Sequence, residues 1–428
     1  MEIKKRTLVI AVATLCFPVA AMATNGYFSH GYGIKAKGMG GAAVAMADDA
    51  FGGANNPASM VFAGGRFDTG VDLFNPQRSA SRSGSANSMM AGDPGRDGAV
   101  DSDTKFFAIP ELGYNKMLSE SWSAGISIYG NGGLNTNFPG GQVGAGRCGP
   151  GAPPSNLLCG QGNLGVDMMQ LIFAPTMAFK IAANHSIGIA PLIGYQRFKA
   201  EGLQAFAGMS LAPGKLTNVG YDNSFGFGAR IGYMGKLTPA ITIGAAYASK
   251  MDMHKFDKYG GLFAEQGKFD IPANYSAGVA LQVAAGLTLA LDYQRIKYSA
   301  VQAIGNSSTN RLPLGSDGGP GFGWQDVQTW KLGAVYQPNA QWTLRAGYNK
   351  GDSPVNARDI TFNLLAPGVI TKHATLGATY LTTGGGEWTV SGMHGFDNAV
   401  SGPSPMLGGI EKAAMRQTSI GIAFGWKI

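Results

Sequence analysis

The sequence predicts an all-β fold, a transmembrane antiparallel β-barrel of about fourteen strands with an N-terminal segment plugging its lumen. Three observations predict it. The chain opens like an exported protein. Its middle alternates apolar and polar residues, with short and long connections taking turns. Its last strand would suit lipid on one face and a polar lumen on the other.

The export signal comes first. Lys4, Lys5 and Arg6 precede an apolar run from Leu8 to Ala21 and the small-residue site Ala21-Met22-Ala23. Those are the three parts of a secretory signal peptide over residues 1–23. Gly supplies 66 of 428 residues, only 14 % are charged, and mean hydropathy is +0.01. A soluble domain carries about 25 % charge, and a helical membrane protein shows runs of about 20 apolar residues. Neither description fits, whereas half-apolar, half-polar strands do. The net charge of +7 includes no dense Lys/Arg cluster with interleaved aromatics, so no nucleic-acid site is expected. Positive lumen and loop residues could attract anionic ligands or lipopolysaccharide, although scattered solvated charge is the plainer reading. Cys16 lies in the signal. Cys148 and Cys159 flank a Gly/Pro-rich loop and should form a disulfide in an oxidising periplasm. No His or further Cys is close enough in sequence to suggest a metal, and no cofactor is expected.

Residues 24–64 do not alternate and are expected to form a compact domain outside the barrel wall, with the barrel over 65–428. Candidate strands follow at 65–75, 104–117, 121–130, 165–182, 185–199, 223–236, 240–254, 273–284, 286–299, 326–337, 341–350, 372–382, 387–397 and 413–427. Short turns fall near 118–120, 183–184, 237–239, 285, 338–340 and 383–386. Long loops fall near 76–103, 131–164, 200–222, 255–272, 300–325, 351–371 and 398–412. Such alternation is the pattern of periplasmic turns and extracellular loops. Parity assigns the faces. Leu289, Leu291, Trp330, Leu332, Leu344, Phe225 and Ile231 should meet lipid, while Asp292, Gln294, Lys331, Arg345, Asn349 and Arg230 point inward. In the final strand, Ile420, Ile422, Phe424, Trp426 and Ile428 alternate with Ser419, Gly421, Ala423, Gly425 and Lys427. Lipid offers no hydrogen-bond partners, so the sheet must close. A fourteen-strand barrel is wide enough for a lumen. The apolar Tyr27, Phe28, Tyr32, Phe51 and Phe62 suit residues 24–64 to packing inside it.

At this point the residues resemble a known family. Gly38-Met-Gly-Gly-Ala-Ala-Val-Ala-Met-Ala-Asp48-Asp49, followed by Asn55-Asn56-Pro57-Ala58-Ser59-Met60, resembles the hatch of FadL/TodX-type outer-membrane transporters. The hatch motif matches at Asn56, Pro57 and Ala58. Ile109-Pro110 through Tyr114, Lys255-Phe256 through Pro272, Phe322-Gly-Trp324-Gln-Asp326, Trp342 through Tyr348, and Ala366-Pro367 through Tyr380 look similar too. The resemblance implies passive uptake of long-chain fatty acids, alkanes or monoaromatic hydrocarbons. Cargo would be captured among extracellular loops, pass a lumen site beside the hatch, and leave sideways where the third strand kinks. Gly130, Gly132 and Gly133 are the candidate kink, since Gly relaxes both pairing and φ/ψ. A plain strand end running into a Gly-rich loop is the alternative.

Met251, Met253, Phe256, Tyr259, Leu262 and Phe263 are too apolar for an ordinary exposed loop and are candidates for the capture groove, or else a structural cap. Arg230, Lys331 and Arg345 are candidate lumen cations for a carboxylate head group, with ion pairs inside the wall as the alternative role. Expected partners are hydrophobic small molecules, outer-membrane lipid and lipopolysaccharide, and the chain is expected to act as a monomer. No enzyme is expected. Gly351-Asp352-Ser353-Pro354 lacks an α/β scaffold, no His-Glu-x-x-His occurs, and Gly38-x-Gly40 lacks a strand before it and a helix after it. A general polar porin and a surface adhesin are the other functional classes.

Overall fold

The computed structural model describes residues 25–86 and 95–428, so the expected signal peptide over 1–23, with Cys16, lies outside the described residues. Sixteen strands form one sheet: β1 (Arg66–Ser83), β2 (Gly98–Asp101), β3 (Phe107–Met117), β4 (Trp122–Asn135), β5 (Gly165–Ala182), β6 (His185–Glu201), β7 (Asp222–Thr238), β8 (Ile241–Ala248), β9 (Asp252–Met253), β10 (Asn274–Ala284), β11 (Leu287–Ile296), β12 (Val327–Tyr336), β13 (Trp342–Gly351), β14 (Lys372–Leu381), β15 (Gly386–Pro403) and β16 (Ile410–Lys427). β2 and β9 are short additions to the outer ends of β1 and β7. The other fourteen form the wall. Each pairs antiparallel with its neighbour, and β1 pairs with β16 from Arg66↔Lys427 to Ser83↔Ile410, which closes the barrel. No helix among the described residues is long and apolar enough to cross a membrane.

The wall reads as parity demands. Phe225, Ile231, Leu291, Trp330, Leu332 and Leu344 are exposed on the outer face, while Arg230, Asp292, Lys331, Arg345 and Asn349 are buried within. The strand ends differ from the sequence reading in four main places. β4 runs on to Asn135, into the expected loop 131–164. β1 runs on to Ser83 through the expected loop 76–103, where β2 folds back on it. β15 and β16 meet across 404–409 rather than a long loop. Expected strand 240–254 is two pieces, β8 and β9. The extensions carry Ser, Arg and Gly on both faces, so they show no apolar stripe; backbone pairing alone holds them.

Residues 25–64 lie inside the barrel and are almost wholly buried. They carry only short helices, over Ile34–Lys37, Pro57–Ser59 and Met60–Ala63. The long loops fold inward over the opposite end, and their side chains share one large core with Tyr27, Phe28 and Tyr32. One of them is closed by the Cys148–Cys159 disulfide, with Cα atoms 5.5 Å apart. Beside it Leu157 and Leu158 are buried, and the Arg82 guanidinium donates to the Leu157 carbonyl at 2.6 Å.

A disulfide closing so short a loop contributes about 3 kcal/mol. Replacing Cys148 and Cys159 together with Ser should therefore make the chain cleavable by trypsin after Arg147. The barrel's heat-modifiable gel mobility should be unchanged. Limited proteolysis of both forms checks this, and equal resistance would mean that Leu157 and Leu158 alone hold the loop.

Candidate functional site

The segment inside the barrel is gripped by inward wall carboxylates. Glu111 on β3 accepts from the Ile34 N–H at 2.8 Å and the Gly33 N–H at 3.3 Å. Asp292 on β11 accepts from Ala43 and Val44 at 2.7 and 2.9 Å. Asp68 on β1 accepts from Ala50 at 2.9 Å and pairs with Arg66 at 2.7 Å. Two lysines complete the set: Lys37 pairs with Asp72 at 2.8 Å, and Lys35 pairs with Glu387, which Arg66 also contacts. A buried charge losing its partner is costly, so these pairs tie the segment to β1, β3, β11 and β15.

The Asn-Pro-Ala motif is a latch. Asn56 caps the short helix Pro57–Ser59, its Oδ1 accepting from the Ala58 N–H at 3.1 Å. Its Nδ2 donates to the carbonyls of Val44 at 2.8 Å and Tyr233 at 2.9 Å. Ser186 on β6 donates to the Ala58 carbonyl at 2.8 Å. Glycine in the wall permits the approach: a Cβ at Gly232 would stand 2.0 Å from Asn56 Oδ1, and one at Gly188 would stand 2.4 Å from the Pro57 carbonyl carbon.

The third wall strand, β4, carries a bulge and parts from β3. β3 and β4 pair only from Met117↔Ser123 to Leu112↔Ile128, although β3 continues alongside β1 as far as Phe107. β4 stays with β5, with a register shift at Gly130 and Gly132 that leaves Asn131 as the extra residue of a bulge. Beyond Ile128, β4 takes a new neighbour from the segment. Phe28 bridges Gly132, Ser29 donates to the Asn131 carbonyl at 3.1 Å, and Gly133 donates to the Tyr27 carbonyl at 3.2 Å. A Cβ at Gly132 would lie 1.7 Å from the Tyr27 oxygen, so only glycine fits there. Pro110, on the β3 side of the parting, has no N–H to offer a neighbour.

Among the loops lies a small apolar pocket of about 40 Å³, lined by residues that include Val166, Phe198, Phe206, Phe263, Phe322 and Phe362. Asp359 ties two of these loops together, accepting from Ser307 Oγ at 2.8 Å and from the Ser308 N–H at 2.7 Å. Burial pushes its carboxyl up, but the Arg358 guanidinium and the two serines outweigh burial and hold it below the ordinary carboxylate value. Rings continue inward from the pocket: Phe263 to Phe269 at 4.9 Å, Phe269 to Tyr27 at 6.2 Å, Tyr27 to Phe28 at 5.3 Å. Phe28 is the residue that bridges Gly132 beside the bulge.

Of the six residues expected to line a capture groove, Leu262 and Phe263 line this pocket. Phe256 and Tyr259 stand behind it, packed on Phe198 at 5.6 and 4.7 Å. Met251 and Met253 sit against the wall over Gly194, Gly226 and Gly228. The three expected lumen cations are all buried and inward. Arg230 donates to the Gly53 carbonyl at 2.8 Å and to that of Ala54, holding the segment. Arg345 donates to Thr379 Oγ1 at 2.6 Å and lies 4.0 Å from Asp48. Lys331 faces Asp292 across the strand pair and donates no hydrogen bond among the described residues. Lys35, Lys37, Glu111 and Glu387 escape a linear reading, because their partners are remote in sequence.

Three comparisons bear on this arrangement. The family described as "Outer membrane protein transport protein (OMPP1/FadL/TodX)" matches residues 10–388. No curated protein sequence matches. Solved structures do: the Pseudomonas putida toluene transporter TodX is 18 % identical with a TM-score of 0.68, covering 93 % of this chain and 99 % of that one. The Ralstonia pickettii toluene transporter TbuX is 17 % identical with a TM-score of 0.63 over 93 % and 99 %. A Pseudomonas aeruginosa FadL homologue is 16 % identical with a TM-score of 0.67 over 94 % and 99 %. At these identities the likeness is one of fold.

Asn56→Ala should remove three hydrogen bonds, two of them fully buried, a loss of about 2–3 kcal/mol in local stability. Hydrogen exchange across 43–60 should then be roughly 30- to 100-fold faster, with the wall strands unaffected. Unchanged exchange would mean that the carboxylate grips hold the segment without the latch.

Proposed function

The chain belongs to the FadL/TodX family of outer membrane transport proteins, and from that premise we propose that it is a passive channel for hydrophobic small molecules, long-chain fatty acids and monoaromatic hydrocarbons among them. The observation that carries the reading is the unbroken run of packed rings from the pocket, through Phe263, Phe269, Tyr27 and Phe28, to the place where β4 leaves β3. The pocket marks the capture site; at about 40 Å³ it must widen as the loops part, and each methylene it then takes from water gains about 0.8 kcal/mol. Residues 25–64 act as the plug. Cargo displaces Tyr27 and Phe28 from β4 and leaves sideways through the parting between β3 and β4. Lys331, the least engaged of the three lumen cations, is the candidate partner for a carboxylate head group. The solved relatives described as toluene transporters support an apolar cargo. A lumen filled with hydrogen-bonded backbone counts against a water-filled porin.

The test locks the parting. A Cβ at Gly130 would lie 2.9 Å from Ile109 Cγ2, close enough for a disulfide between Ile109→Cys and Gly130→Cys. In a porin-poor host, the native chain should take up radiolabelled oleate or toluene faster than the empty host. The oxidised double variant should lose that uptake and recover it on reduction. Uptake that persists with the cross-link verified would sink the lateral route. No uptake by the native chain would sink the channel reading for these compounds.

A further inference from the structure

The lipid-facing surface carries a pair of cations that the transport route does not use. Lys350 on β13 and Lys372 on β14 are directly opposed in the antiparallel ladder, and both are exposed. Like charges in that position repel and destabilise a sheet unless something anionic lies between them. Parity puts both on the outer face, because their neighbours Asn349 and His373 are buried within.

Their height is fixed by the register. One row of paired residues crosses four strands, Tyr293 to Trp330 to Lys350 to Lys372. Tyr293 and Trp330 are in ring contact at 5.0 Å and belong to the aromatic level of a membrane boundary. The row climbs away from the short-turn end as it crosses the wall. Trp330 is six residues from the short-turn end of β12, whereas Lys372 is nine residues from that of β14. The lysines thus stand just beyond the aromatic level on the long-loop side, at the head groups of the outer leaflet. Exposed Leu376 lies on the same face of β14 below Lys372, within the apolar band.

Three other outward cations on the long-loop side have partners within the chain. Arg295 pairs with Asp326 at 3.1 Å, Lys199 pairs with Glu201 at 3.0 Å, and Arg197 stacks over Tyr221 at 3.5 Å. Lys350 and Lys372 have no carboxylate within 4.0 Å among the described residues. Asp352, the nearest acid in sequence on β13's face, accepts from the Gln328 N–H instead.

We propose that Lys350 and Lys372 clamp a phosphate on the head group of an outer-leaflet glycolipid, with its acyl chains lying along the outward leucines below. Two point charges on flexible stems suit a phosphate, which presents several acceptor oxygens. The proposal rests on the orientation of the barrel in its membrane and not on the cargo of the channel.

Native mass spectrometry of the full barrel in detergent tests it, with bisphosphorylated lipid A as the probe. The native chain should retain lipid A at least about tenfold more tightly than the double variant Lys350→Gln, Lys372→Gln. The double variant Lys350→Arg, Lys372→Arg should keep that affinity. Heat-modifiable mobility establishes that each variant is folded. Dephosphorylated lipid A should bind no better to the native chain than to the Gln variant. Inorganic phosphate at millimolar concentration should not displace the lipid. Equal retention by the native and Gln chains, equal binding of phosphorylated and dephosphorylated lipid A, or displacement by free phosphate would each overturn the proposal.

Discussion

Everything inside this barrel depends on one constraint: a closed wall turns about half its side chains inward, and many of those are polar. Glu111, Asp68, Asp72, Asp292 and Glu387 are buried without bulk water, and each needs donors. The segment over residues 25–64 supplies them, as backbone N–H groups at Ile34, Ala43, Val44 and Ala50 and as the ammonium groups of Lys35 and Lys37. The exchange is mutual. A segment with so little regular structure has unpaired N–H groups of its own, and the wall accepts from them. Wall and segment are therefore two halves of one hydrogen-bonded unit.

Close approach requires a thin wall. Where the segment touches it, the wall presents glycine: Gly188 and Gly232 under Asn56 and Pro57, Gly244 under Val44, Gly347 under Met39 and Gly40. A Cβ at Gly188, Gly244 or Gly347 would collide with backbone of the segment, and one at Gly232 with the Asn56 side chain. In an ordinary strand, glycine is an entropic cost without packing in return. Here each one marks where the segment must lie against the wall.

How far the sequence discloses this follows from what has a local signal. The wall was legible, since lipid on one side and polar groups on the other impose a period of two on residues such as 287–294. The outer extensions were not. Arg78, Ser79, Ser81 and Arg82 belong to β1, but beyond the lipid no face must be apolar, and nothing distinguishes them from loop. Asn56-Pro57-Ala58 stood out as a motif, whereas its receptor, Gly188 and Gly232, is scattered over two strands. The pocket is drawn from several loops, so the apolar run 251–263 marked the right region without separating lining from support. Tertiary packing alone decides that Phe263 faces the space while Met251 faces the wall. The register irregularity in β4 falls within the run of Gly130, Gly132 and Gly133, where glycine relaxes pairing.

The same distribution of bonds bears on how such a segment could open without coming loose. Its portion from Gly33 onward is held by the carboxylate grips, the ion pairs and the Asn56 latch. Its tip is held differently. Tyr27 and Phe28 donate their N–H groups to Tyr298 Oη at 3.1 and 3.2 Å, Tyr298 donates to the Asn25 carbonyl at 2.6 Å, and two backbone bonds join the tip to β4. Neutral hydrogen bonds of this kind are worth about 1 kcal/mol each, and the aromatic packing around them is not directional. An apolar ligand that replaced Tyr27 among Phe269, Tyr298 and Trp324 would restore most of that packing, leaving only a few hydrogen bonds to be made up. The ion-paired portion offers no such substitute, because a hydrophobic ligand cannot accept from Lys35 or Lys37. Movement confined to the tip is thus the low-cost motion for an apolar cargo, and the tip is the part that covers the parting between β3 and β4.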